Sequence, residues 1–352
     1  MKNISYKKWI VSFCSFILII TVMFGTFNFI ADPMLRYRTE DDGIFTYYEY
    51  AEMYSNPGIA RNYTYDAVHV GTSMIQNTDI DEINELENLN MIRCAYSGGT
   101  AYNMKRILDI CFDSKNKISE VYWELDEFQL TSKTDETRYP LPEYLYNDSH
   151  LRDIEYLLNV DIFYHYTLKN FINTLQGVEK KSMPRGITWT DAQYGREITL
   201  SSVTFDDEMN EQIPVDSYIV ISDMNLDKNI IPFIENNPGT QFTFFIPPFS
   251  VLYWYKTLAD GTFDANVYCM KHVVGRLLEY SNVSVYFFRN EYEIISDLDN
   301  YKDYSHYCPE INSYISRAIS ENKNLLTKTN YISEIDRFSN YIYSYDFSIY
   351  FE

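Results

Sequence analysis

The chain has 352 residues, with 29 Lys and Arg against 50 Asp and Glu, a formal net charge of −21. That acidic surplus excludes a phosphate-backbone binder as the default, because nucleic-acid proteins carry a basic face. Hydrophobic residues at 46% and charged residues at 22% belong to a folding chain, large enough for one big domain or two small ones.

From Trp9 to Ala31 no residue is charged. As a helix this run is about 34 Å long, enough to cross a hydrocarbon core of about 30 Å. Residues 1–8 with Lys2, Lys7 and Lys8 read as a short cytoplasmic tail, and the positive-inside rule puts the rest outside. With those three lysines set apart, 26 cations face 50 acids in the outer portion. A cleaved signal peptide is the competing reading. Its apolar region is shorter, and FNFIADP lacks small residues in an A-x-A arrangement. The expectation is a single-pass anchor in the cell membrane with an extracytoplasmic domain.

Residues 32–62 read as a polar, Tyr-rich connecting segment with a short helix. From 63 to 325, strand-like and helix-like runs alternate, which predicts a parallel sheet covered on both faces. Strands are expected in YDAVHVGTS (65–73), NMIRCAYSGG (90–99), ISEVYWELDEF (118–128), TQFTFFIPP (240–248) and VSVYFFRN (283–290). VDSYIVI (215–221) reads either as a strand or as the start of a helix running towards Ile234. Helices are expected over 101–114 and 264–280. Residues 130–214 interrupt the rhythm as a mostly helical insertion with a Trp189-containing loop, and 326–352 forms a C-terminal helical segment.

Ligands of open α/β sheets bind at the carboxyl ends of the strands. There the sequence offers Gly71-Thr72-Ser73-Met74, Ser97-Gly98-Gly99-Thr100, Glu124-Leu125-Asp126-Glu127 and, before a helix opening near Pro309, Asp303-Tyr304-Ser305-His306. A serine needs a base to become a nucleophile, and a carboxylate fixes the base's tautomer. Backbone amides near Ser73, Gly98 and Gly99 can hold an oxyanion. Asp-x-x-His also occurs at Asp66–His69, but His69 lies inside a strand and reads as a core residue. Gln76 and Asn77 read as caps of the following helix, and LYWY (252–255) as core or as a saccharide groove. Five scattered cysteines without a CxxC pair argue against zinc and against a disulfide framework. TDIDEINELE and DLDNYKD lack the glycine that a calcium loop needs. No cofactor is expected.

Strand–GTSM, strand–SGG and a late DYSH before a helix resemble the blocks of the SGNH (GDSL-type) hydrolase superfamily, over residues 60–320. YDAVHVGTSMIQN, AYSGGTAYN, VYWELDEF and DYSHYCPEIN behind an anchor look like its membrane-anchored cell-envelope branch, which includes the lipoteichoic-acid D-alanylation accessory protein and the alginate-acetylation proteins. The resemblance implies a three-layer fold with Ser73 as nucleophile, His306 as base, Asp303 as its orienter, and Gly98 or Gly99 as oxyanion donor. It implies O-acyl esterase or acyltransferase chemistry on an envelope polysaccharide or teichoic-acid-like polymer, with a membrane-bound O-acyltransferase as a possible partner. No nucleic acid is implied.

Two departures stand out. Gly-Thr-Ser-Met replaces Gly-Asp-Ser-Leu, and Asp126 stands where the superfamily has an oxyanion-donating Asn. An ionised carboxylate repels an oxyanion, and a protonated one donates to it. Asp126 is therefore either an oxyanion-hole residue or a helix cap. The rival functions are a non-catalytic binding or assembly factor on the same fold, and a surface sensor.

Overall fold

The computed structural model describes residues 6–47, 51–180, 182–186, 188–189, 191–205 and 209–350. The chain divides into two compact units, 1–63 with 141–183, and 64–140 with 184–352.

The first unit is helical. Its longest element is the helix Tyr6–Ala31, apolar throughout its middle and exposed along most of its length. Only its carboxyl end is buried. Asn28 donates to the Leu157 carbonyl at 2.9 Å and accepts from Thr167 Oγ1 at 2.8 Å. The segment expected to be a connector is packed instead. Asp32 is buried and accepts from the amides of Arg36, Tyr37 and Arg38 and from the Tyr156 hydroxyl. A carboxylate removed from water needs several donors, and the chain folds back to supply them.

The second unit is a mixed α/β layer structure around a six-stranded sheet. The strands are β1 Ala67–Gly71, β2 Met91–Ala95, β3 Glu120–Glu124, β4 Gln241–Ile246, β5 Val283–Phe287 and β6 Leu325–Leu326. Their order is β2-β1-β3-β4-β5-β6. The first five are parallel and β6 runs antiparallel to β5. Most of their residues are buried, as a sheet with helices on both faces requires. The order reverses between β1 and β3, and the crevice at such a switch point is where ligands bind.

The five expected strands are all present, with shorter limits. The 215–221 ambiguity resolves as helix, Ile219–Asn225, continuing through a π turn into Ile231–Asn236. β6 lacked a pattern, being only two residues long. The 130–214 insertion is divided, with 141–183 in the helical unit and its two ends on the sheet unit. One end is held by Asn225, whose amide donates to the carbonyls of Leu130 and Ser132 at 2.9 and 2.7 Å. The other is held by Arg93, described below. The C-terminal helix Tyr331–Ser344 also packs on the sheet unit, with Phe338 against Trp254 at a ring distance of 4.8 Å. Leu252, Trp254 and Tyr255 are buried, so LYWY is core rather than groove.

Candidate active site

β1 ends at Gly71, and Thr72-Ser73 turns directly into a short 3₁₀ helix, Ser73–Ile75. Gly71 has a specific reason. A Cβ there would lie 2.7 Å from Glu124 Cβ, so only glycine lets β3 close against this turn. Glu124 Oε2 accepts from the Thr72 amide at 2.8 Å and from the Thr72 hydroxyl at 2.9 Å. Gln129 Nε2 donates to the same oxygen at 3.2 Å and to the Glu124 carbonyl at 2.7 Å. The backbone just before Ser73 is thus clamped by a fully buried acid. Burial, with Asp126 close by, pushes the Glu124 carboxyl well above the usual carboxylate range. Glu124 Oε1 has no partner among the described residues.

The histidine comes from a loop far along the chain. Tyr301 and Tyr307 bridge across it, and the Lys302 amide donates to the His306 carbonyl at 3.0 Å. Both tyrosine rings are buried. Inside the loop, Asp303 Oδ1 accepts from the amides of Ser305 and His306, each at 2.9 Å. This short-range turn directs the imidazole. His306 Nδ1 lies 2.7 Å from Asp303 Oδ2 and 2.9 Å from Oδ1. His306 Nε2 lies 2.7 Å from Ser73 Oγ. A carboxylate only accepts, so Nδ1 carries the proton and Nε2 is left to accept from the serine hydroxyl. Burial alone would raise the Asp303 carboxyl. Its bonds to His306 and Ser305 outweigh that and hold it well below the ordinary carboxylate range. About a quarter of each of these two side chains remains exposed, so the pair is open to a ligand.

The structure therefore brings Ser73, His306 and Asp303 into one hydrogen-bonded chain. His69 is elsewhere, inside β1 against Tyr122 and Phe245, with neither ring nitrogen bonded among the described residues. Burial first, and Arg93 second, push its pKa down to about 3, so it is neutral.

The glycine pair separates in role. The Gly99 amide donates to the Tyr96 carbonyl at 2.9 Å, which corrects the expectation that it is a free oxyanion donor. Gly98 has φ +58°, a conformation that favours glycine, and its amide and that of Ser73 make no hydrogen bond among the described residues. Arg138 crosses this glycine, and a Cβ on Gly98 would lie 2.6 Å from Arg138 Nη1. The two loops are tied together by Gln76 Nε2 donating to Ser97 Oγ at 3.0 Å.

Asp126 is a helix cap. Its Oδ1 accepts from the Gln129 amide at 2.8 Å at the start of the helix Glu127–Thr131, and it also accepts from Phe128. Among the described residues its hydrogen bonds go to this helix start and not to Ser73 or His306. Burial pushes it up to about 7. Glu127 beside it is paired through both carboxylate oxygens with buried Arg289, which lies 4.5 Å from the Trp254 ring centre.

Gln76 and Asn77 do not cap the next helix, since Asp79 does. Asn77 instead accepts from the Trp189 amide at 3.0 Å and donates to the Tyr194 hydroxyl at 2.9 Å. Buried Arg93 reaches from β2 to the carbonyls of Gln76 (2.9 Å), Thr78 (3.1 Å) and Gly186, while its amide binds the Pro184 carbonyl at 2.9 Å. This ties the 184–189 segment to the serine loop. Trp189 then stands edge-on to His306 at 5.0 Å, with Lys302 Nζ 3.4 Å from the centre of its ring. Sequence reading placed Glu124 at a strand end without a role and gave no site role to Arg93, Trp189 or Arg138. Only Glu124 carried a signal, its place at the end of β3.

No family model and no curated protein matches this chain. Among solved structures it is similar to "a putative platelet activating factor from Streptococcus pneumonia", at 10% identity and a TM-score of 0.39, covering 77% of this chain and 90% of that one. A likeness at that level carries no argument about chemistry.

Proposed function

We propose that the chain is a membrane-anchored, extracytoplasmic SGNH-like serine O-acyl esterase or acyltransferase acting on a cell-envelope polymer. The observation that carries this reading is the contact of Ser73 Oγ with His306 Nε2 at 2.7 Å, continued from Nδ1 to Asp303 at 2.7 Å. In the reaction, Ser73 Oγ attacks an ester carbonyl and its proton passes to His306 Nε2. The amides of Ser73 and Gly98 receive the oxyanion. His306 returns the proton to the departing alcohol, leaving an acyl group on Ser73. Water then completes hydrolysis, or an acceptor hydroxyl completes transfer. A membrane-bound O-acyltransferase is the proposed donor-side partner, by resemblance to the envelope branch.

The anchor reading is supported by the buried end of the apolar helix. Removing it as a signal peptide would leave Thr167 Oγ1 and the Leu157 carbonyl without Asn28, and Phe163 without Phe24 and Phe27. The second reading, a non-catalytic binding or assembly factor, is favoured by one observation. Asp126 caps a helix and supplies no amide donor in place of the superfamily Asn. Losing one such donor costs about 10²–10³ in rate.

A fluorophosphonate probe tests the choice. Purified protein should label and Ser73→Ala should not. An unlabelled parent chain without p-nitrophenyl acetate turnover would overturn the enzyme reading in favour of the binding factor.

A further inference from the structure

The helical unit carries a second apolar surface that its own packing leaves open. A helix runs from Val160 to Leu175 with a π turn over Phe163–Thr167. One side faces the end of the Tyr6–Ala31 helix. Phe163 meets Phe24 and Phe27 at 4.6 and 5.9 Å between ring centres, and Phe171 meets Phe27 at 5.9 Å. The other side is exposed and amphipathic, with Tyr164, Ile172 and Leu175 beside Asp161, His165 and Lys169. Tyr164, Leu168 and Ile172, at successive helical turns, line one shallow cavity of about 400 Å³ with His165, Tyr166 and Lys169. Tyr164 is 63% exposed and Leu175 is 72% exposed. An exposed row of Tyr164, Ile172 and Leu175 next to His165 and Lys169 is the pattern of a helix that lies at an apolar–aqueous boundary.

The packing level decides what that is. Phe24 lies seven residues before Ala31, about 10 Å along the helix axis. The partners of Phe24 and Phe27 therefore sit beside the final turns of the apolar run, not beyond it. In a spanning helix those turns lie in the outer acyl and headgroup boundary, the depth of about 5–10 Å at which amphipathic interfacial helices lie. The composition agrees. The 160–175 stretch holds one acid, Asp161, one lysine, Lys169, and one histidine, His165, in a chain of net charge −21. Tyrosines and a lysine with a long stem are suited to that boundary.

We infer that the Val160–Leu175 helix lies in the outer leaflet of the bilayer beside the anchor, its Tyr164–Leu168–Ile172–Leu175 face covered by lipid. This rests on the anchor reading above. The unit would then hold the chain by a span and a flat helix together, restricting rotation and tilt of the span. Because the stretch is neutral, the contact needs no anionic lipid.

The test uses the full chain, one copy per phosphatidylcholine nanodisc, so that lipid is the only available cover. Cys308→Ser is the background throughout. One form keeps native Cys14 as the label site within the span. The others carry Cys14→Ser with a single new cysteine, Tyr164→Cys, Ile172→Cys, Leu175→Cys, or Lys328→Cys on the exposed surface of the sheet unit. Nitroxide labels report collision with oxygen, which prefers lipid, and with a nickel chelate, which prefers water. The expected result is a shift towards oxygen at 164, 172 and 175, matching Cys14 and opposite to 328. A lipid signature at Cys14 with a water signature at 164, 172 and 175 overturns the inference and leaves the anchor intact. A water signature at Cys14 as well overturns the anchor reading itself.

Discussion

Replacing Asp126 by Asn removes a buried acid while keeping a cap, because Asn and Asp cap helices about equally well. Asp126 accepts from the Gln129 amide in a buried place, and its pKa rises from the ordinary 3.8 to about 7. A folded-state value above the unfolded one means that the native state holds the extra proton between those limits. The associated stability is fully present below about pH 4 and is lost as pH rises towards 7. Spread over that interval, the loss is on the order of 4 kcal/mol. Asp126→Asn has no such loss. Its unfolding free energy minus that of the parent should therefore grow by about 2–4 kcal/mol between pH 4.5 and pH 8. A new carboxamide N–H without an acceptor would cost about 1–3 kcal/mol. That cost is the same at every pH, so the slope rather than the level is diagnostic. Urea unfolding of both forms in detergent, followed by tryptophan fluorescence at several pH values, measures it. Parallel stability–pH curves for the two forms would refute the reasoning. Ester turnover should change little, because the cap's hydrogen bonds go to its helix start and not to Ser73. A large rise in turnover would mean that Asp126 reaches the oxyanion after all.

Three further outcomes are expected. Asp303→Asn should leave the fold intact and lower ester turnover by about 10⁴, because a neutral amide no longer fixes the Nδ1–H tautomer; burst and steady-state rates with p-nitrophenyl acetate measure this. His69→Phe should raise the urea midpoint, since it removes from the sheet interior two ring nitrogens unbonded among the described residues, at a gain of about 1–3 kcal/mol. The His69 pKa is depressed, so the parent should lose stability as pH falls from about 6.5 towards 3 and the variant should lose less, in a comparison of melting temperatures. Trp189→Ala should lower turnover with little effect on melting temperature, because the ring borders His306 while its backbone bond to Asn77 is retained; an equal loss in both would make Trp189 merely structural.

The serine loop was legible because Gly71-Thr72-Ser73 follows a buried apolar run, and the DYSH loop because its key bonds are local. Asp303 meets its own histidine three residues on, a contact that spacing alone can carry. The parallel sheet was legible for the same reason, since strands covered on both faces are continuously apolar. Spacing is the same in Asp66–His69 and Asp303–His306, but the apolar strand around His69 already marked it as core, and its burial in β1 agrees. The cap role of Asp126 and the loss of Gly99 to a turn depended on backbone geometry that residue types do not specify. Glu124 on Thr72, Arg93 on the 184–189 segment and Trp189 on His306 join residues far apart in the chain. Such contacts have no period and no local propensity, so only the tertiary structure could show them. Sequence by itself determined which groups can do chemistry at the strand ends; the long-range clamps decided which of them meet, because a hydroxyl and an imidazole react only when the backbone beneath each is held in place.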